Sequence, residues 1–306
     1  MKTGVQRETS WVMESDRVSA EIEHLCLNCG EPLHGAFCSN CGQRAVPPRP
    51  SLRELLGEAF AEFSGWDGKL AATLRLLVTR PGQLTVDFLD GKRARYITPL
   101  RLYLSVSLVY FLLSAAAPSS IAPGELAKVG DVGNAKITVG LGSHTPDQLT
   151  ADQREVILAS VPSAPKPLRP ALRRLGTDPQ GFQKDFTEVM PRLMFALLPV
   201  FALIVALFYR GRGFVEHLYF TIHVQTFFFV ALGIGVLSRF THVMALIIAA
   251  GILQFIWAPL YAHFSLRRVY GGSNGSTLLK ELGIGALYAA VYVPSVVSLA
   301  VWIGGR

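Results

Sequence analysis

The chain has 306 residues, of which 50% are hydrophobic and only 17% charged, with a mean hydropathy of +0.36. A soluble chain carries about a quarter charged residues, so an ordinary pair of soluble domains is excluded. The net charge of +7, from 29 Lys and Arg against 22 Asp and Glu, excludes an acidic tail protein. It does not imply nucleic acid either, because membrane proteins hold their Lys and Arg at the cytoplasmic surface.

Residues 1–23 are read as a disordered tail without the apolar core of a secretory signal. The four cysteines of the chain follow within sixteen residues: Cys26, Cys29, Cys38 and Cys41. Each C-x2-C pair is followed by glycine (Gly30, Gly42), so a five-residue knuckle occurs twice. Two thiolates three residues apart on a tight turn point at one ion, and glycine accepts the positive φ that turns backbone N–H groups toward sulfur. Four thiolates in tetrahedral array suit Zn(II), with iron the weaker candidate. The alternative is two disulfides or free buried thiols, but disulfides are rare in a reducing cytosol. With four cysteines the shell is closed, so the expected zinc is structural rather than catalytic, and His24 and His34 are not needed as ligands. Residues 24–46 are thus expected to form a zinc ribbon that owes its folding to the metal.

After the stiff Pro47–Pro50 linker, residues 51–95 are predicted to form membrane-proximal amphipathic helices. Ser51 and Glu54 make a capping box, and Leu52, Leu55, Leu56, Ala59, Phe60 and Phe63 form one apolar stripe. Further short helices are expected at about 69–79 and after Pro81. All are too short and polar to span a membrane, so they are expected to pack on one another or on the inner face of the membrane domain. A partner groove or interfacial helix is the sharper alternative. Lys92, Arg93, Arg95 and Arg101 cluster just before the first apolar run. Their first role is topological, and they are also candidate contacts for lipid headgroups. The acidic Asp87 and Asp90 beside them argue against nucleic acid.

Five segments, 99–117, 193–209, 218–237, 243–263 and 283–303, are long and apolar enough to span or nearly so. The third holds two polar groups and is the least certain on hydropathy alone. The second is short and is expected to extend backward past Pro191. The fold class is therefore an all-α integral membrane bundle of about five helices (97–306), preceded by the small N-terminal four-cysteine zinc ribbon, with an extramembrane loop over 118–192. A helix around 182–190 would lead into the second span. Lys92, Arg93 and Arg95, then Arg210 and Arg212, then Arg267, Arg268 and Lys280 mark one side. This orients the N-terminus to the cytoplasm and the C-terminus outside, in a bacterial inner membrane. Residues 1–95 hold 12 basic and 12 acidic residues, so the positive balance belongs entirely to the membrane part.

Ionisable residues within spans are costly and therefore candidate sites. Glu216 and His223 are seven apart on one helix face, with His217 one position round, and Arg268 at the end of the fourth span is placed to pair with Glu216. Three readings stay open: hydrogen-bonding glue between helices, a metal or proton site, and recognition of a lipid headgroup. No H-E-x-x-H, G-x-S-x-G or P-loop is present, so no catalytic residue is assigned.

The chain resembles a family of bacterial membrane proteins known as domain of unknown function 3667. The resemblance is carried by the double C-x2-C-G motif ending Cys41-Gly42-Gln43-Arg44, by Thr79-Arg80-Pro81-Gly82, by 91–103 (Gly91-Lys92-Arg93-Ala94-Arg95-Tyr96-Ile97-Thr98-Pro99-Leu100-Arg101-Leu102-Tyr103), and by Glu216-His217-Leu218-Tyr219-Phe220 with His223. It implies an integral membrane protein with a zinc ribbon and carries over no catalytic residue. The function expected is a non-enzymatic scaffold or partner-binding protein of the membrane, in contact with lipids and with a cytosolic or membrane protein partner, and with no nucleic acid. A transporter or lipid-handling protein using Glu216, His217 and His223 is the alternative, and a membrane-embedded enzyme the third.

Overall fold

The computed structural model describes residues 25–45, 69–117, 149 and 151–306. The capping box at Ser51, the stripe ending at Phe63, the 1–23 tail and most of the early 118–150 segment lie outside the described residues. Among those described, regular structure is helical: α1 (Lys69–Thr79), α2 (Gln83–Leu89), α3 (Pro99–Ala116), α4 (Ala151–Ser160), a 3-10 turn (Lys166–Leu168), α5 (Arg169–Thr177), α6 (Pro179–Phe208), α7 (Phe214–Arg239), α8 (Met244–Tyr270) and α9 (Asn274–Gly304). α3, α6, α7, α8 and α9 are long and apolar enough to cross a membrane. The protein is an all-α helical bundle with a cysteine cluster at its N-terminal side.

Local chemistry sets the helix ends. Pro99 opens α3 with a φ already suited to the first helical turn. The Asp178 carboxylate accepts from the Gly181 amide at 3.0 Å and starts α6 fourteen residues ahead of the apolar run expected at 193. α6 passes through Pro191 and Pro199 without ending, so 179–192 is helix continuous with the span. α9 likewise starts nine residues before its expected run, capped by the Ser273 hydroxyl on the Ser276 amide. That early start brings Lys280 and Glu281 into the helix.

The span expected to be the least certain is the central one, and α3, at a mean hydropathy of 1.5 against 1.8 for α7, is the less apolar of the two. In the most apolar 18-residue stretch of α7, 61% is buried within the protein, against 6% in α8 and 6% in α9. Phe220, Val224 and Phe227 of α7 share one core with Phe201, Ile204 and Val205 of α6 and with Tyr261, Leu266 and Val269 of α8. Leu198 and Ala202 of α6 and Tyr103 of α3 close a second core on another side of α7, against Leu218, Tyr219 and Ile222.

The short α1–α2 hairpin belongs to the first of these cores. Leu77, Leu84 and Phe88 are each 1% exposed and sit in the same apolar cluster as the spans. The Tyr261 hydroxyl donates to the Leu77 carbonyl at 2.9 Å. Tyr261 lies nine residues before the end of α8, about 14 Å along the helix at 1.5 Å per residue. The hairpin is therefore wedged between the ends of the spans rather than lying across them. Gly82, at the turn between α1 and α2, has φ +75°, and a Cβ there would meet the Ser265 carbonyl oxygen at 2.9 Å. Both facts require glycine in the Arg80-Pro81-Gly82 turn.

Candidate metal centre and the polar groups around it

The ligand atoms of Cys26, Cys29, Cys38 and Cys41 all lie within 4.8 Å of one another, and all four cysteines are free. The repeat seen in the sequence is repeated in the backbone. Cys26 N donates to the Glu31 carbonyl and Gly30 N to the Cys26 carbonyl, and Cys38 N and Gly42 N repeat the pattern with Gln43 and Cys38, at 2.8–2.9 Å. Gly30 (φ +78°) and Gly42 (φ +71°) hold the left-handed conformation that closes each knuckle. Isolated bridges, Leu25 to Pro32 and Phe37 to Arg44, tie off each turn.

The donor set fits a tetrahedral ion. Four sulfurs at the zinc–thiolate distance of about 2.3 Å would stand about 3.8 Å apart. Two pairs, Cys26–Cys41 and Cys29–Cys38, stand at 3.5 Å. The thiols are not equivalent. Burial raises the Cys41 thiol, but hydrogen bonds from the Asn28 side chain and the Gln43 backbone outweigh it and hold Cys41 down at about 6. For Cys29 the Glu31 backbone pulls downward but is overcome by burial and the neighbouring sulfurs, to about 12. A cation among them would favour the thiolate at every position and release protons as it binds. His34 is exposed and outside this cluster, and His24 lies outside the described residues.

The cysteine module is latched to the basic loop before α3, and Gln43 is the latch. This side chain is 8% exposed. Its Nε2 donates to the Gly91 carbonyl at 2.8 Å, and its Oε1 accepts from the Arg93 and Ala94 amides at 3.0 Å each. The Arg95 guanidinium donates to the Asn28 carbonyl, inside the first knuckle, at 3.0 Å. Gly91 (φ +83°) lies so close to Leu27 that a Cβ would meet its Cδ1 at 2.6 Å. The Cys41-Gly42-Gln43 and Gly91–Arg95 motifs, with Gln43 and Gly91 48 residues apart, thus form one interlocking unit.

Among the four basic residues expected at headgroups, Lys92 pairs with Asp90 at 3.3 Å and Asp87 at 3.6 Å. Arg95 is bound to the first knuckle, Arg93 is anchored through its backbone amide, and Arg101 is half-buried in the first turn of α3. Asp87 also accepts from the Tyr96 hydroxyl at 2.8 Å and from Gln83 at 2.9 Å. Burial and then the Asp87 hydrogen bond push the Tyr96 phenol up to about 12.

The polar residues of α7 diverge. Glu216, 6% exposed, pairs with Arg212 at 3.2 Å, and Arg212 also donates to the Val269 carbonyl at 2.7 Å. Arg268, expected to pair with Glu216, donates to the Pro81 carbonyl at 2.7 Å. His217 Nδ1 lies 2.8 Å from the Tyr270 hydroxyl, and His223 Nδ1 lies 2.9 Å from Thr85 Oγ1 on α2. Seven residues make nearly two helical turns, which leave the two ends of the stretch against different neighbours. Among the described residues, the four cysteines are the cluster of His, Cys, Asp and Glu that could hold a metal ion, so Glu216, His217 and His223 do not converge on one.

Sequence reasoning misses Thr85 and Tyr270 as partners of the two histidines, and Gln43 as the latch. Each is an ordinary polar residue whose partner is remote. His263 and Glu281, at 2.9 Å between α8 and α9, form another pair. An acidic residue seven positions inside a long helix is the available signal for it, hidden because the apolar run itself begins only after Glu281.

Residues 67–111 match a family described as protein of unknown function (DUF3667). The match covers α1, α2 and most of α3, the part that reaches from the bundle core to the loop gripped by Gln43. No curated protein and no solved structure matches the chain.

Proposed function

We propose that the chain is a multi-pass protein of a bacterial inner membrane whose cytosolic cysteine module holds structural Zn(II) and serves as a non-enzymatic docking element. The observation that carries this reading is the Gln43 latch. It uses one buried amide to fasten the module to the loop that enters the first span. Four cysteines at tetrahedral spacing leave no open coordination position for a substrate, which supports a structural ion. Phe37, 62% exposed on the second knuckle, is the apolar surface a protein partner would meet. The Arg210, Arg212, Arg267 and Arg268 side supports a cytoplasmic N-terminus.

The test is metal content of the intact protein purified from membranes, with and without Cys38→Ser. About one zinc per chain is expected for the wild type and none for the variant, with residues 25–45 losing amide-exchange protection. Metal-free wild type with 25–45 still protected would sink the reading. Orientation is read by membrane-impermeant labelling of Gly211→Cys, which is expected to react only after the membrane is opened. Reaction from outside intact cells would invert the topology.

A further inference from the structure

Within residues 25–45 the buried side chains belong to Cys26, Asn28, Cys38 and Gln43. The module's larger apolar side chains, Leu25, Leu27 and Phe37, are exposed. A segment with no apolar core of its own takes its folding energy from a metal. The two buried residues that are not cysteines are the ones that meet the loop before α3. Asn28 bonds Cys41 through its side chain, and its carbonyl accepts from Arg95 at 3.0 Å. The Gln43 backbone bonds Cys41 and accepts from the Cys38 amide at 2.8 Å, while its side chain makes three hydrogen bonds to the loop. Each residue therefore touches a cysteine at one end and the loop at the other.

The loop is fastened on its far side to the α1–α2 hairpin. The Lys92 amide donates to the Asp87 carbonyl at 2.8 Å, the Tyr96 hydroxyl to the Asp87 carboxylate at 2.8 Å, and the Ile97 amide to Thr73 Oγ1 at 3.2 Å. Thr73 is fully buried, and Thr85 of the same hairpin meets His223 of α7. The contacts thus lead from the cysteines, through loop and hairpin, to the central helix.

We infer that metal occupancy of the four-cysteine site is coupled to the seating of the 91–97 loop on the α1–α2 hairpin, so that the bundle registers whether the module is loaded. This rests on the reading of the cysteines as a zinc site. The two-state element is the module itself, ordered with the ion and disordered without it. In the empty state Asn28 and Gln43 are no longer held at the loop, and the backbone groups of Gly91, Arg93 and Ala94 turn to water. Coupling between binding events is reciprocal, so the seated loop tightens the hold on Zn(II) by the factor through which Zn(II) seats the loop.

The probe is Zn(II) itself, in competition with a chromophoric chelator, on the full chain in phospholipid nanodiscs. Gln43→Leu keeps all four cysteines and is expected to bind the ion about 10- to 100-fold more weakly. Arg95→Gln lies on the loop, outside the module, and is expected to weaken zinc binding at least about fivefold. In the wild type, removing zinc is expected to lower the amide protection of Lys92 and Ile97 at least about fivefold, with no change at residues 246–256 of α8. In Gln43→Leu the same removal is expected to leave those two amides unchanged. Wild-type zinc affinity in both variants would overturn the coupling while leaving the zinc site standing. So would equal protection of Lys92 and Ile97 with and without zinc in the wild type, or a loss that extends equally over α8 and so marks general unfolding. A wild type that takes up no zinc overturns the proposed function, and this inference with it.

Discussion

α7 and α8 are both apolar helices of spanning length, yet they sit in opposite environments. α7, with His217, His223, Glu216, Gln225 and the hydroxyls of Tyr219, Thr221 and Thr226, is the central helix. α8, more uniformly aliphatic over its first half, faces outward, with Leu253 61% and Phe255 84% exposed. In lipid the driving force for burying one more apolar side chain in protein is small, because lipid is equally apolar. Polar groups decide the arrangement instead. A helix that carries them must be surrounded by protein that can pair with them. The two helices are nearly equal in mean hydropathy, 1.8 against 1.9, so the difference in burial, 61% against 6%, follows the placement of polar side chains rather than hydropathy.

Truncations on the two helices test this comparison most strongly. Phe227 of α7 stacks face to face on Tyr261 with centroids 3.4 Å apart and is 2% exposed. Phe227→Ala is expected to cost about 3–5 kcal/mol, read as unfolding in nanodiscs. Phe255→Ala on α8 should change stability by no more than about 0.5 kcal/mol. Similar losses at both positions would erase the distinction between hub and periphery.

A smaller effect is expected from polar pairing itself. His223→Ala leaves Thr85 without its partner and is expected to cost about 1–3 kcal/mol. A double-mutant cycle with Thr85→Val should show a coupling of at least about 0.5 kcal/mol. Additive losses would mean that α2 is not held to α7 through this contact.

The smallest effect lies outside the bundle, where α2 meets the basic loop. Tyr96 is harder to ionise in the folded protein than in the unfolded chain, its phenol raised from 10.0 to about 12. Its contribution is therefore complete below about pH 10 and is lost as pH rises toward about 12. The protection factors of the amides of residues 91–96, with the intrinsic rise of exchange with pH removed, are expected to fall over that window in the wild type and not in Tyr96→Phe. The same fall in both would assign the alkaline change to another group.

Much is legible from the chain in order. The paired knuckles, the five apolar runs and the short helix after Lys69 are local patterns, each readable within a few turns of sequence. The wedge of α1–α2 is not, because Leu77 meets Tyr261 across 184 residues. Thr85 and His223 are separated by 138 residues, and no spacing rule connects them. The expected pairing of Glu216 with Arg268 fails because Arg212, one turn away on the same chain segment, reaches the carboxylate, while Arg268 turns to the Pro81 carbonyl.

Thiolate spacing and hydropathy are properties of neighbouring residues, and they determined by themselves that this protein carries a four-cysteine site and five helices able to cross a membrane. Only the tertiary structure decided that Gln43 fastens that site to the Gly91–Arg95 loop, that α7 with its histidines lies at the centre, and that His223 meets Thr85. The physical reason is the same in each case. A buried polar group must find a partner, and which remote residue supplies it depends on how the helices pack.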